Sequence, residues 1–249
     1  MNTIDLNCDL GEGCDNDLAL LDQISSANIA CGFHAGGPVV MTATVRAAAA
    51  RGVAIGAHPS LDDRQGFGRR ELVTTPAEVH AQTVYQIGAL QAICRAAGAK
   101  LHHVKPHGAL YNMAARDAAL AQAIAQAVRD VDPALKLYAL SGSKMVEAGR
   151  AAGLAVVCEV FADRSYQDDG SLTPRSRPGA MIAQADAAIA QVLIMLREGR
   201  VRSLNGRDVS IEAGTVCLHG DQPDALEFAV SLRAALVAAA IRIARPSSP

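Results

Sequence analysis

The 249 residues fit one large domain, because a single hydrophobic core stops growing at about 250 to 300 residues. Half of the chain is hydrophobic but only 3% is aromatic, and the formal net charge is -2 with no run rich in lysine or arginine. The core must therefore be aliphatic, and nucleic acid and anionic membrane are excluded as partners.

The longest uncharged apolar stretch, near Ala234 to Ile241, is far short of the roughly 20 residues that span a bilayer. Met1 to Asp5 lack the basic and apolar regions of a signal peptide. The six cysteines include no C-x-x-C pair, so they read as reduced thiols rather than a zinc knuckle or a redox motif. A cytoplasmic location is expected.

Seven short β-rich runs alternate with helical patterns along the chain: Thr3 to Cys8, Ala27 to Cys31, Val53 to Ala57, Leu101 to Lys105, Leu135 to Leu140, Ala155 to Phe161 and Thr215 to Leu218. Most are continuously apolar, as strands covered on both faces should be. The first long helix is predicted from Val39 to Arg51. Thr75-Pro76-Ala77-Glu78 starts the next with an N-cap, a proline at N1 and a capping box. Further helices are predicted over Asp117 to Val131, Ser143 to Ala152, Gly179 to Arg197 and Pro223 to Ile243. Asn205-Gly206 within 201–212 marks a β-hairpin insertion, and 246–249 reads as a frayed tail. This alternation predicts one α/β domain over 1–249, a distorted seven-stranded (β/α) barrel resembling a TIM barrel. A doubly wound open sheet is the alternative.

In both architectures ligands bind beyond the carboxyl ends of the strands, and polar residues gather there. The first strand ends in Asn7-Cys8-Asp9-Leu10-Gly11-Glu12, and the next two lead into Gly32-Phe33-His34 and His58-Pro59-Ser60. The fourth, sixth and seventh lead into Lys105-Pro106-His107-Gly108, Asp163-Arg164 and His219-Gly220-Asp221. A lone histidine is usually an ordinary hydrogen-bonded one. His34, His58, His107 and His219 all at strand ends point instead to a site, whereas His80 and the His102-His103 pair read as ordinary.

Asp9, His58, Lys105 and His107 are the catalytic candidates; Asn7, Glu12, Asn28, His34, Arg164, His219 and Asp221 are the substrate-binding ones. Asp221 reads equally well as a cap of the last helix. Asp9 and His107 are expected to move protons, His107 because an imidazole titrates near neutrality. Lys105, at the end of an apolar strand, is expected to hold an anionic part of the substrate. Asn7 and Asp9 are two residues apart and share one face of an extended strand, as Lys105 and His107 do if the strand persists. Asp9, His34 and His58 are candidate ligands for zinc or a similar divalent metal, though their dispersed spacing does not establish one. There is no phosphate loop, no G-x-G-x-x-G and no G-x-S-x-G; Gly142-Ser143-Lys144 is a fragment of the first.

Together with Asp5 to Glu12, the segments Asn28-Ile29-Ala30-Cys31-Gly32-Phe33-His34-Ala35-Gly36, Gly56-Ala57-His58-Pro59-Ser60 and Val104-Lys105-Pro106-His107-Gly108-Ala109-Leu110-Tyr111 resemble the LamB/YcsF family. So do Glu159-Val160-Phe161-Ala162-Asp163-Arg164 and Cys217-Leu218-His219-Gly220-Asp221. The resemblance implies a barrel related to glycoside hydrolase and deacetylase folds. It also implies ATP-dependent cleavage of 5-oxoproline to glutamate in a complex with two further 5-oxoprolinase subunits, B and C, with ATP and Mg handled jointly with those partners. A metal-dependent deacetylase of N-acetyl sugars or similar amides, and a non-catalytic binding subunit, are the rival readings. A homo-oligomer stays open.

Overall fold

The computed structural model describes residues 3–218, 220 and 224–247. Its first half runs β1 (Thr3–Leu10), α1 (Asp17–Leu20), β2 (Ser26–Ala30), α2 (Pro38–Ala50), β3 (Ala54–His58), α3 (Pro76–Ala96), β4 (Leu101–Val104), α4 (Gly108–Arg116) and α5 (Ala118–Val131). The second half runs β5 (Lys136–Leu140), α6 (Lys144–Ala151), β6 (Val156–Phe161), α7 (Ala185–Glu198), β7 (Arg200–Arg202), β8 (Asp208–Ser210), β9 (Thr215–Leu218), α8 (Ala225–Ala238) and β10 (Arg242–Ile243). Among the described residues no helix is long and apolar enough to cross a membrane.

Strands β1 to β6 pair in sequence order, all parallel, and β9 closes the ring. It pairs with β6 from Glu159↔Thr215 to Phe161↔Cys217 and with β1 from Asp5↔Thr215 to Cys8↔Leu218. This closed seven-stranded barrel decides against the open doubly wound sheet. The two-stranded β7–β8 hairpin is antiparallel, with Val201 opposite Val209.

Four helix assignments differ from the sequence reading. The short α1 stands between the first two strands, where no helix was expected. The helix predicted from Gly179 starts only at Ala185, because residues 162–184 form an irregular excursion tied by bridges Arg164↔Met181 and Tyr166↔Leu172. The last helix stops at Ala238 rather than Ile243: Ala240 takes a positive φ of 58° and the chain returns along β1 as β10, with the Ala244 amide bonded to Ile4 O. Helix α4 stands where the sequence suggests only a turn, since Gly108 at its start looks like a breaker.

The barrel interior departs most from an apolar expectation. In β1 the even residues Ile4, Leu6, Cys8 and Leu10 join the aliphatic core, while Asp5, Asn7 and Asp9 bond to groups on other strands across the lumen. Their period of two puts the polar set on one face. Asp5, Asn28, His103, Lys105, Glu159 and Thr215 are all buried in that lumen.

Candidate active site

The lumen is wired in layers. At the bottom, Asp5 accepts from Ser25 (2.6 Å), Ser26 (2.7 Å) and Thr215 (2.7 Å). Burial raises this carboxyl above its ordinary value, while those hydroxyls pull it back down. One step up, Asn7 Nδ2 donates to Thr215 Oγ1 (2.8 Å) and Glu159 Oε1 (2.9 Å), and the Tyr111 hydroxyl donates to Glu159 Oε2 (2.6 Å). His103 Nε2 donates to Asn28 Oδ1 (2.8 Å), and Asn28 Nδ2 donates to Asn7 Oδ1 (2.7 Å) and Asp9 Oδ1 (2.8 Å). Buried polar groups of this kind are stable only when each finds a partner.

Lys105 sits in the centre, its Nζ 2.8 Å from Asp9 Oδ1, 3.0 Å from Glu159 Oε1, 3.1 Å from Asn7 Oδ1 and 3.1 Å from Cys217 Sγ. Burial alone would discharge it, but Asp9, Cys217 and Glu159 outweigh that and hold it well above the ordinary lysine value. The sequence assigned this ammonium to an anionic part of the substrate. It is instead committed to two carboxylates, and its immediate effect is to fix Asp9.

Above Lys105 the backbone keeps its register past the end of β4. The Lys105 amide donates to Ala57 O and the His107 amide to Pro59 O, so the two side chains do share a face. His107 then meets the histidines of β2 and β3. The outward nitrogen of each ring has an acceptor: His58 Nδ1 donates to Lys105 O (2.6 Å) and His107 Nε2 to Phe67 O (2.9 Å). His34 Nδ1 lies 2.9 Å from Ser60 Oγ, whose own proton goes to Leu61 O, so this nitrogen is also a donor. A neutral imidazole carries one N–H, so in that form these partners leave the lone pair on His34 Nε2 and on His107 Nδ1, and His58 Nε2 faces Asp9 Oδ2 and His107 Nδ1.

Those nitrogens converge on carboxylates. His34 Nε2 is 2.9 Å and His107 Nδ1 3.3 Å from Glu12 Oε1, His58 Nε2 is 3.2 Å from Asp9 Oδ2, and His58 Nε2 and His107 Nδ1 are 2.9 Å apart. One ligand atom each from Glu12, His34, His58 and His107 lies within 4.8 Å of the others. A divalent cation among them is what this donor set fits: three imidazoles and a carboxylate, each ring held from behind. The group keeps the expected candidates His34 and His58, adds Glu12 and His107, and does not include Asp9, which lies beside it with Oδ2 3.2 Å from His58 Nε2.

Burial pushes His34 down to about 3, helped by His58 and opposed by Asp9, and it moves His107 well below the ordinary imidazole range. That direction fits His107 as a lone-pair donor better than as the proton carrier expected from the sequence.

A loop covers the cluster. Phe67, at a φ of 55°, turns its carbonyl to His107 and packs its ring edge-on against His34 and His107, with centroids 5.6 and 5.5 Å away. A positive φ is costly for an aromatic residue and persists only where the surroundings impose it. Beside it a Cβ on Gly68 would lie 2.8 Å from His34 Cβ and 2.9 Å from His107 Cδ2, so only glycine allows the loop to close this tightly.

The cluster forms one wall of a cleft of about 730 Å³ that Asp9, Glu12, His58, Lys105, His107 and Arg164 line together. Asn7, Asn28 and His34 sit behind that surface. His219 and Asp221 lie outside the described residues. Sequence reading missed Glu159, Tyr111, His103, Phe67 and Gly68; only Glu159, a charge in the apolar run Val156 to Phe161, carried a local signal, the same one that drew attention to Lys105.

A profile of the LamB/YcsF family matches residues 4–249. The chain belongs to the LamB/YcsF family. It is 59% identical over 250 residues to a Geobacillus kaustophilus protein named as the A subunit of 5-oxoprolinase, covering 99% of this chain and 98% of that one. The crystal structure of a lactam utilization protein from Thermus thermophilus superposes with a TM-score of 0.90 at 46% identity, covering 97% of this chain and 99% of that chain. A peptidoglycan N-acetylglucosamine deacetylase catalytic domain from Eubacterium rectale matches at a TM-score of 0.53 and 12% identity, over 99% of this chain and 89% of that chain. At that identity the likeness concerns the fold alone, and it extends the LamB/YcsF barrel to a deacetylase-like architecture.

Proposed function

We infer that this chain is the lactam-processing subunit of a cytoplasmic, ATP-dependent 5-oxoprolinase, cleaving 5-oxoproline to glutamate together with subunits B and C. The observation that carries this reading is the near full-length match to a protein named as the A subunit of 5-oxoprolinase. A cleft whose floor is a lysine-held carboxylate beside three imidazoles supports it.

An unstrained five-membered lactam is a poor electrophile, and coupling to ATP removes that limit. Phosphoryl transfer to the lactam oxygen gives an activated imidate. Water then adds to the ring carbon and gives up a proton, the C–N bond breaks as nitrogen gains one, and a second water removes the phosphate. Asp9, whose Oδ2 faces the cluster while Oδ1 is held by Lys105 and Asn28, is placed to accept the proton of the attacking water. Lys105 positions Asp9; His58 and His107 orient the ligand around it. A divalent cation held by Glu12, His34, His58 and His107 would supply Lewis acidity to a water or a carbonyl oxygen.

The same donor set supports a second reading, ATP-independent hydrolysis of an N-acetyl amide, and one assay separates the two. Glutamate release and ATP consumption are measured with 5-oxoproline for the chain alone and with subunits B and C. The chain alone, lacking a phosphate loop, should show little ATPase, and the assembled complex should release glutamate only with ATP. Robust 5-oxoproline-stimulated ATP hydrolysis by the single chain, or amide hydrolysis without ATP, would overturn the reading.

A further inference from the structure

With Lys105 committed to Asp9 and Glu159, the cleft needs another cation to meet an anionic ligand. Two of its lining side chains, contributed by different strand ends, have unused polar atoms. Gly142, at a φ of 76°, turns the chain after β5, and Ser143 follows as the N-cap of α6. A serine there ordinarily accepts from an amide in the first helical turn. Ser143 makes no such bond; its Oγ is buried without a partner. The neighbouring Ser141 hydroxyl, by contrast, is used, accepting from the Glu212 amide at 2.8 Å.

Arg164, beyond the end of β6, is only 5% exposed. Its Nη2 donates to Thr173 O at 2.7 Å, and its Nε has no partner. A buried guanidinium N–H left unmade bears its full desolvation penalty, and guanidinium geometry suits carboxylate and phosphate oxygens. Burial and nearby Arg175 lower Arg164 to about 10, so it keeps its charge at neutral pH. Val146 N already donates to Ser143 O, but the Lys144 and Met145 amides that precede it have no intrahelical acceptor and add the positive end of the helix dipole.

The geometry points to an oxyanion subsite formed by Ser143, the first turn of α6 and Arg164 on the wall of the cleft that holds Asp9 and His107. It takes the charged end of the ligand while the amide lies at Asp9. Resting on the lactam reading, that charged end is the carboxylate of 5-oxoproline or the phosphoryl group of its activated form; the chemistry sought, a hydrogen-bonded oxyanion, is the same.

The test is calorimetric titration of the full chain with 5-oxoproline, with uncharged 2-pyrrolidinone and with inorganic phosphate. It is repeated on Arg164→Gln and on Ser143→Asp, which suits the N-cap position of α6 but sets a carboxylate in the subsite. Each variant should weaken binding of the oxyanion about tenfold or more and leave 2-pyrrolidinone unchanged. Loss confined to 5-oxoproline assigns the subsite to the carboxylate, and loss confined to phosphate assigns it to the phosphoryl group. Binding of both anions within twofold of wild type in both variants, or no binding of either anion by the wild type, overturns the subsite. Glutamate release by the complex, measured in parallel, keeps the two ideas apart. An active wild-type complex with an unchanged Michaelis constant in Ser143→Asp sinks the subsite alone. An inactive complex in which this chain still binds phosphate through Arg164 sinks the lactam reading alone.

Discussion

The imidazoles of His34 and His107 lie face to face, with ring centroids 3.8 Å apart and planes 3° from parallel. Two stacked, buried rings are held this way because each is tied from behind, His34 to Ser60 and His107 to Phe67. Both therefore turn a bare nitrogen towards Glu12. Without a cation this packing sets lone pairs against a carboxylate; with one it is a ligand shell.

The full chain should accordingly take up one divalent ion, measured by elemental analysis after chelation and equilibrium dialysis. Ser60→Ala removes the support behind His34 together with the hydroxyl's bond to Leu61 O, and loss of such outer partners typically costs about 10- to 100-fold in metal affinity. A chain that takes up no divalent ion would refute the metal assignment.

Asp9→Asn should keep the fold, because Oδ1 can still accept from Asn28 and Lys105. Loss of a general acid or base typically costs about 100- to 10,000-fold in rate, and glutamate release by the assembled complex should fall that far. His107→Ala should lose a comparable amount, as a lone-pair donor rather than a proton shuttle. Turnover within about threefold of wild type, far inside the expected loss, would remove either residue from its role.

Lys105→Met leaves partly buried Asp9 and fully buried Glu159 without their common cation. Removing one partner of a buried ion pair typically destabilises by about 3–5 kcal/mol, which urea unfolding would read directly. Adding Glu159→Gln should recover part of that loss, since neighbouring charges couple. A double variant no more stable than Lys105→Met would show that the loss comes from packing instead.

The barrel and the rim of the site were legible from the sequence because both depend on local patterns. Apolar runs at regular spacing give the strands, and in a parallel barrel the residue just past each run must lie at one end, which is where Asp9, His34, His58 and His107 stand. The layers beneath were not legible. β4 is only Leu101–Val104, too short to show that His103 points into the lumen while its neighbours do not. Phe67 and Gly68 reach the cluster from a loop, and nothing near them in sequence records the histidines they touch. Lys105 was singled out for the right reason, a charge that needs a partner, but its partners come from β1 and β6. Reading it as free for substrate followed from not seeing Glu159.

The tight closure over the histidines gives a test that needs no assay of the complex. Gly68 and Gly52 have nearly the same backbone, at φ of 64° and 68°, but differ in surroundings: a Cβ at 52 meets nothing within 4 Å, whereas one at 68 would press on His34 and His107. Alanine at either position bears the left-handed cost of about 1–2 kcal/mol. Gly68→Ala should add an overpacking cost of about 1–3 kcal/mol, because the stacked pair has Phe67 on its edge and Glu12 at its bare nitrogens and cannot move aside. Urea unfolding should rank Gly68→Ala below Gly52→Ala by that difference, and only Gly68→Ala should weaken metal uptake, since only there is the added methyl against the ligand rings. Equal stabilities with unchanged metal binding would mean that the loop yields, and that Phe67 and Gly68 do not hold His107 in place.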